Sequence, residues 1–496
     1  MEENNMSDKQ NGGDAPQAKL GFFAMIAVVV GSMLGGGVYS LPQNMAQSSA
    51  IGPVIVSWLI AGVGVYFIAN TFRILADTRP DLQAGIYMYA REGFGPFIGF
   101  ISAWGYWLMA AFGNVAFAVI LMDSLNYFYP GEFIGGNNLN SIIFGSILIW
   151  AYNFLVLSGT RVSGIVNTIG TVAKIVPLLA FIVIVAFMLS PEVMFSNFWG
   201  HSSPEKGMQL GSITSQVMAP MIVALWAFVG VEGAVVLSGR AKNKADVGKA
   251  TLLGFIIALV VYVLLSVLPF GIAPQHVLSN VANPSTAGVL EMVVGHWGAW
   301  LMNVGLIISI MAGWLAWTML CAEIPMAASM NGTFPKAFSR TNKNGAPSVS
   351  LWVSSCVMQT AMLLVYFSPN AWNTMLSIST VMVLPSYLAS TLFLVKIARN
   401  GEFVKYTGSS KLLRQALASG VIGTIFGLFI LYAGGLQYVA MIPLFLTIGL
   451  PVYIWSRREH DTNTVVFAGR DKLYVILLLV VDVLVLALWT IGVIKL

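Results

Sequence analysis

Apolar residues fall along this chain in long, nearly unbroken blocks, separated by short polar stretches, rather than in the alternating or every-third pattern of a water-soluble fold. A helix needs a run of about 20 such residues to cross the hydrocarbon core of a bilayer. Thirteen runs meet that need, at roughly 20–47, 51–75, 96–129, 141–158, 164–190, 212–238, 248–272, 298–330, 349–367, 372–397, 412–432, 437–456 and 473–494. The pattern predicts an all-α polytopic membrane protein. Several runs exceed the bilayer thickness, so tilt or interruption is expected. Residues 1–18 are polar and mixed in charge, without the pattern of a signal peptide, and read as a disordered cytoplasmic tail. Residues 19–496 read as a single transmembrane domain. The longest outer insertion, about 273–297, has no Lys or Arg and suits a loop with a short helix over the outer mouth. On the inner side, 85–91 is an amphipathic surface piece.

Composition agrees with the pattern. Only 9% of the 496 residues are charged and 57% are hydrophobic, against about 25% charged in soluble domains. Disorder, a disulfide scaffold and a soluble enzyme are excluded. Cys321 and Cys356 lie in apolar runs without the paired spacing of a metal or redox motif. Of the 25 Lys and Arg residues, all but Lys174, Lys206 and Lys495 fall on the amino terminus and every second loop. The positive-inside rule therefore puts the amino terminus in the cytoplasm of a multi-pass cell-membrane protein. An odd number of spans puts Leu496 outside. Lys174 sits inside the fifth span, where a charge is costly enough to suggest function.

Helix breaks point to the site, because freed backbone groups in a membrane are tolerated only where they line a cavity. The first span contains 31–42, GSMLGGGVYSLP, in which Gly35, Gly36 and Gly37 are poor helix formers. Close helix packing is the competing explanation for Gly31 and Gly35. The sixth span contains 225–234, LWAFVGVEGA, where two glycines flank the carboxylate of Glu232. Spans one and six hold the same place in two successive five-helix halves, which is the pattern of a transporter site near the midplane. Half-helix amino termini there would attract a carboxylate, and exposed carbonyls would accept from an ammonium. An α-amino acid carries both groups.

Four stretches resemble the amino acid–polyamine–organocation superfamily, and within it the basic amino acid/polyamine antiporters, the arginine/ornithine exchangers most of all. They are 31–46 (GSMLGGGVYSLPQNMA), 99–114 (GFISAWGYWLMAAFGN), 226–251 (WAFVGVEGAVVLSGRAKNKADVGKAT) and 315–352 (LAWTMLCAEIPMAASMNGTFPKAFSRTNKNGAPSVSLW). The resemblance implies a LeuT-like fold of two inverted five-helix repeats, about 20–190 and 212–397, with discontinuous helices 1 and 6. Additional helices lie at about 412–494, a thirteenth span being an addition to the common twelve. It also implies substrate roles for Gly35, Gly36 and Gly37 at the carboxylate, and for Trp226 and Val229 beside the α-amino group and stem. Tyr106 resembles a gate aromatic, Asn114 a polar contact and Trp317 the tryptophan facing the side chain. Glu232 matches a buried acid linked to gating and pH response. Two departures stand out. Gly36 replaces a serine of the related arginine/agmatine antiporters, and their span-ten serine falls by offset on Ile378, leaving Ser377 or Ser379 as substitutes.

Aromatic faces such as Trp226, Trp317 and Tyr106 hold a desolvated cation with about 2 kcal/mol each. Most of the 14 tryptophans must instead belong to interfacial belts. Glu323 follows Trp317 by six residues, about 240° around a helix, which suits the cytoplasmic gate or a pair with a loop cation. In relatives of this fold a span-five lysine replaces a sodium ion between spans one and eight, and Lys174 is a candidate for that part. Asp482, on the last span, has no account in the sequence.

The reading is a secondary active antiporter, exchanging a basic amino acid for a related cation by alternating access, with arginine for ornithine first. Histidine/histamine or lysine/cadaverine exchange and a proton-coupled permease are the alternatives. No ring of charges or repeated filter suggests a channel, and no soluble domain suggests a receptor. His201, His276, His296 and His460 lack metal-ligand spacing, and no nucleophile–base pair is visible, so neither an enzyme, a metal nor a cofactor is expected. Partners are amino acid and amine substrates and lipid, not nucleic acid, with a homodimer left open.

Overall fold

The computed structural model describes residues 21–82, 86–159, 163–201, 210–233, 242–243, 245–460 and 465–494. The expected tail at 1–18 lies outside them, as do 234–241, which hold the rest of the sixth apolar run.

Every one of the thirteen apolar runs contains a helix or a pair of helices. Ten described helices are long and apolar enough to cross a membrane, and the bent pair Phe22–Met33 and Gly36–Ala46 makes an eleventh crossing. Span 5 is Ser163–Met188, and span 6 begins as Ile213–Met218 and Met221–Ala227. The protein is an all-helical polytopic membrane protein. The other spans are 2 (Ile51–Thr78), 3 (Pro96–Phe128), 4 (Leu139–Leu157), 7 (Ala245–Val267), 8 (His296–Met330), 9 (Ser348–Val365), 10 (Ala371–Arg399), 11 (Ser410–Ala433), 12 (Leu436–His460) and 13 (Arg470–Thr490).

Span 3 is the centre of the bundle. Buried residues make up 83% of its apolar stretch, and it packs along spans 10 and 8, while span 5 lies on span 8 and span 1 on span 7. Span 13 is the opposite case, with 11% buried, and packs on span 12. Its buried Asp482 accepts a hydrogen bond from the hydroxyl of Thr447 on span 12. That bond fixes the rotation of an otherwise lipid-facing helix, since an unpaired polar group there would be costly.

Both surface pieces expected from the sequence are ordered helices. At one end of the bundle, Gln275–Ser279 and Ser285–Val294 fold over the end of span 1, where Gln43 N donates to Ser285 Oγ at 3.0 Å and Gln43 Nε2 to Ser279 O at 3.2 Å. At the opposite end, Ile86–Phe94 is held to span 2 by Arg79, which bonds Asp81 at 2.7 Å and Glu92 at 3.4 Å. Arg91 on the same helix donates to Thr333 Oγ1, just past span 8, at 3.0 Å.

Candidate functional site

Two interrupted helices meet at the middle of the bundle. The α-helix of span 1 stops at Met33; Leu34 turns out of it (φ −70°, ψ 71°) and Gly35 is extended (φ −78°, ψ −175°). A 3-10 turn, Gly36–Ser40, then runs into Leu41–Ala46 with the axis bent by 52°. The competing explanation, continuous close-packed helix through the three glycines, does not hold. The first N–H groups of the segment opening at Gly36 have no acceptor within it and lie at its positive end. In span 6 the helix ends at Ala227, whose carbonyl accepts from Tyr262 Oη at 2.6 Å. Gly230 follows at φ 102°, where a side chain would be strained and its Cβ would lie 3.0 Å from Ser32 O. Ser32 Oγ in turn lies 2.9 Å from both Gly230 O and Val29 O, so one hydroxyl joins the two breaks.

Beside that junction is a cavity of about 30 Å³, room for roughly one water. Ser32, Met33 and Gly35 face it from span 1, and Trp226 and Val229 from span 6. Met109, Gly113 and Phe117 of span 3 recur every four residues, so one helix face supplies that wall. Trp317 of span 8 and Ser379 of span 10 complete it. No charged side chain is among these residues. An amino acid is several times larger than the cavity, so binding one requires the side chains around it to move apart.

Five of the residues singled out from the sequence, Gly35, Trp226, Val229, Trp317 and Ser379, therefore come together. Others sit behind the wall. A Cβ on Gly36 would lie 2.4 Å from Ile310 Cγ1, so an isoleucine of span 8 fills the space a side chain would use there. A Cβ on Gly37 would lie 1.9 Å from Trp226 Cζ3 and 3.1 Å from Trp372 Cη2. Trp226 and Trp372 meet edge to face, 5.6 Å between centroids. On span 10 it is Ser379, not Ile378, that reaches the cavity, donating to Met109 O at 2.9 Å, while Ser377 faces a separate cavity. Asn114 is fully buried behind the span 3 face, with neither amide atom bonded.

Tyr106 is not part of the wall; it belongs to Glu232. The Glu232 carboxylate, 1% exposed, accepts from Tyr106 Oη at 2.7 Å, Tyr387 Oη at 2.8 Å and Gly230 N at 3.2 Å. Three donors satisfy a buried carboxylate that would otherwise be costly, and they tie the break of span 6 to spans 3 and 10. Lys174, 7% exposed, donates from Nζ to Gly31 O at 3.0 Å, in the last turn before the break of span 1. Its own carbonyl accepts from Tyr39 Oη at 3.2 Å, just after that break. Span 5 thus clasps span 1 on both sides of the interruption. Glu323 lies on the exposed face of span 8, away from the cavity.

Trp372, Tyr387 and the span 3 face were missed from the sequence. The four-residue spacing of Met109, Gly113 and Phe117 was visible, but without the rotation of span 3 it did not separate the cavity face from the others.

Residues 20–454 match the amino acid permease family. The chain is 54% identical over 452 residues to the arginine/agmatine antiporter of Chlamydia pneumoniae, covering 91% of this chain and 93% of that protein. It is 53% identical over 452 residues to the arginine/agmatine antiporter of Chlamydia abortus, with coverage of 91% and 93%, and 50% identical over 471 residues to that of Chlamydia caviae, with coverage of 95% and 96%.

Proposed function

Because the chain belongs to the amino acid permease family and is an amino acid antiporter, we propose that it exchanges arginine for agmatine, one for one, by alternating access. Agmatine takes the place of ornithine as the counter-substrate on the names of the relatives. The observation that carries the reading is a cavity with no charged side chain, bordered both by a helix start after Gly35 and by the rings of Trp226 and Trp317. Arginine uses both features, its carboxylate at the helix start and its guanidinium on an aromatic ring. Agmatine has lost the carboxylate and keeps the guanidinium, whereas ornithine keeps the carboxylate and loses the planar group that stacks best on an aromatic face.

In this reading Glu232, Tyr106 and Tyr387 form the closure between the cavity and the cytoplasm. Lys174 holds span 1 where other carriers of this fold use a metal cation. The cytoplasmic side is the one rich in Lys and Arg, which supports an inward-facing amino terminus.

The test is uptake of radiolabelled arginine into proteoliposomes containing agmatine, ornithine, histamine, cadaverine or buffer, with and without a pH gradient. Fast uptake against agmatine, indifferent to the gradient, is expected. Uptake only against ornithine would restore that counter-substrate, and proton-driven uptake into empty vesicles would overturn exchange. With Trp317→Leu, loss of a desolvated cation–π contact of about 2 kcal/mol weakens arginine binding by roughly 30-fold.

A further inference from the structure

A second, larger cavity of about 310 Å³ opens between the outer ends of spans 1, 6, 10, 11 and 12. It lies on the side of the membrane that carries almost no Lys or Arg. Asn44, Gln47, Asn370, Asn373, Ser377 and Tyr438 give it a polar but uncharged wall. Asn44 is 6% exposed, and neither its amide oxygen nor its amide nitrogen has a hydrogen-bond partner. A buried amide left unmet costs about 1–3 kcal/mol, so a group that faces a cavity in that state favours an occupant able to satisfy it.

We infer that this outer cavity is a second substrate site, taking a basic amino acid from the outside before it passes the Trp226–Trp372 pair; the identity of that amino acid rests on the arginine reading above. The wall offers what such a molecule needs. Amide oxygens accept from a guanidinium or ammonium, and amide NH2 groups and the hydroxyls of Ser377 and Tyr438 donate to a carboxylate. The absence of an acidic side chain keeps the binding weak, which suits a site that must release inward. Position connects it to the inner site. Ile222 and Val223 line the outer cavity and Trp226, one turn later on the same helix, lines the inner one. Asn44 stands on the segment that opens at Gly36, so an occupant of the outer cavity touches both interrupted helices. Asn373 Nδ2 donates to Gln47 Oε1 at 3.1 Å, linking span 10 to the linker after span 1 across the rim.

The experiment is arginine uptake by right-side-out vesicles loaded with agmatine, over a range of external arginine, for wild type, Asn44→Leu, Asn44→Gln and Asn373→Leu. The leucine variants are expected to raise the external KM about tenfold, leaving the internal agmatine concentration for half-maximal exchange within twofold, with Asn44→Gln restoring KM. Should Asn44→Leu fail to reach the membrane, the partly exposed Asn373 carries the test. An unchanged external KM, or a fall in maximal rate alone, overturns the second site and leaves the cavity to water. Wild type that takes up no arginine against agmatine would instead sink the exchange reading, so the two failures are told apart.

Discussion

Replacing Gly37 by alanine puts a methyl group where the Trp226 ring lies. Its nearest neighbours would be Trp226 Cζ3 at 1.9 Å and Cη2 at 2.1 Å, with Trp372 Cη2 at 3.1 Å. The ring must retreat by about 1.5 Å to reach ordinary contact. It can do so only by leaving Trp372 or by entering the cavity it borders. Overpacking of this kind costs about 1–3 kcal/mol, and where that cost falls on the substrate site it weakens arginine binding by roughly 5- to 150-fold. A neighbouring substitution is the control: a Cβ on Gly31 meets nothing within 4 Å. The assays are arginine titration followed by tryptophan fluorescence in detergent, and arginine/agmatine exchange in proteoliposomes. If Gly37→Ala matched Gly31→Ala within twofold in both, the placement of Trp226 against the glycine would be refuted.

Three further outcomes are expected. Glu232→Gln keeps the shape but replaces one acceptor by a donor facing Tyr106 or the Gly230–Tyr387 pair, leaving a buried group unmet at about 1–3 kcal/mol; initial exchange rates should fall at least about tenfold, and wild-type rates would dismiss the closure role. Lys174→Met removes the charged donor to Gly31 O, worth about 1.5–3 kcal/mol; a rate and pH profile unchanged from wild type would show that the clasp on span 1 does not serve transport. At the end of span 2, the hydrogen bond from Arg79 holds the Asp81 carboxyl below its ordinary 3.8. The pair therefore stabilises the fold above that ordinary value and loses its effect as pH falls through the lowered native one. Asp81 is mostly exposed, so Asp81→Asn should lower the melting temperature only by the equivalent of about 1 kcal/mol or less at pH 7, and a deficit that grew in acid would contradict the assignment.

The bilayer made much of this fold legible. A requirement for about 20 apolar residues per crossing is strict enough that every apolar run contains helix among the described residues. The interruptions were legible for a similar reason, since three glycines cannot continue a helix cheaply. What the glycines do was not legible, because it depends on neighbours far away in sequence: Gly35 faces the cavity, Gly36 makes room for Ile310 and Gly37 for Trp226. Residue type suggested that Tyr106 and Glu232 matter but not that they bond each other, nor that Tyr387, 155 positions from Glu232, completes the group. A helix turns about 100° per residue, so a one-residue uncertainty decides whether Ile378 or Ser379 reaches the site. That choice is made by the packing of span 10 against span 3.

The uncharged wall of the inner cavity has an electrical consequence. At neutral pH agmatine carries two positive charges and arginine a net one. With no ionisable side chain among the lining residues to carry a proton along with one of the two substrates, each turn of the proposed exchange would carry one elementary charge outward. Moving it against an interior-negative potential takes about 2.3 kcal/mol per 100 mV, roughly a 50-fold bias in the combined concentration ratios. Voltage would then act as a brake on the carrier, and vesicles clamped at a series of potentials would stop exchanging at the one where the two gradients balance it.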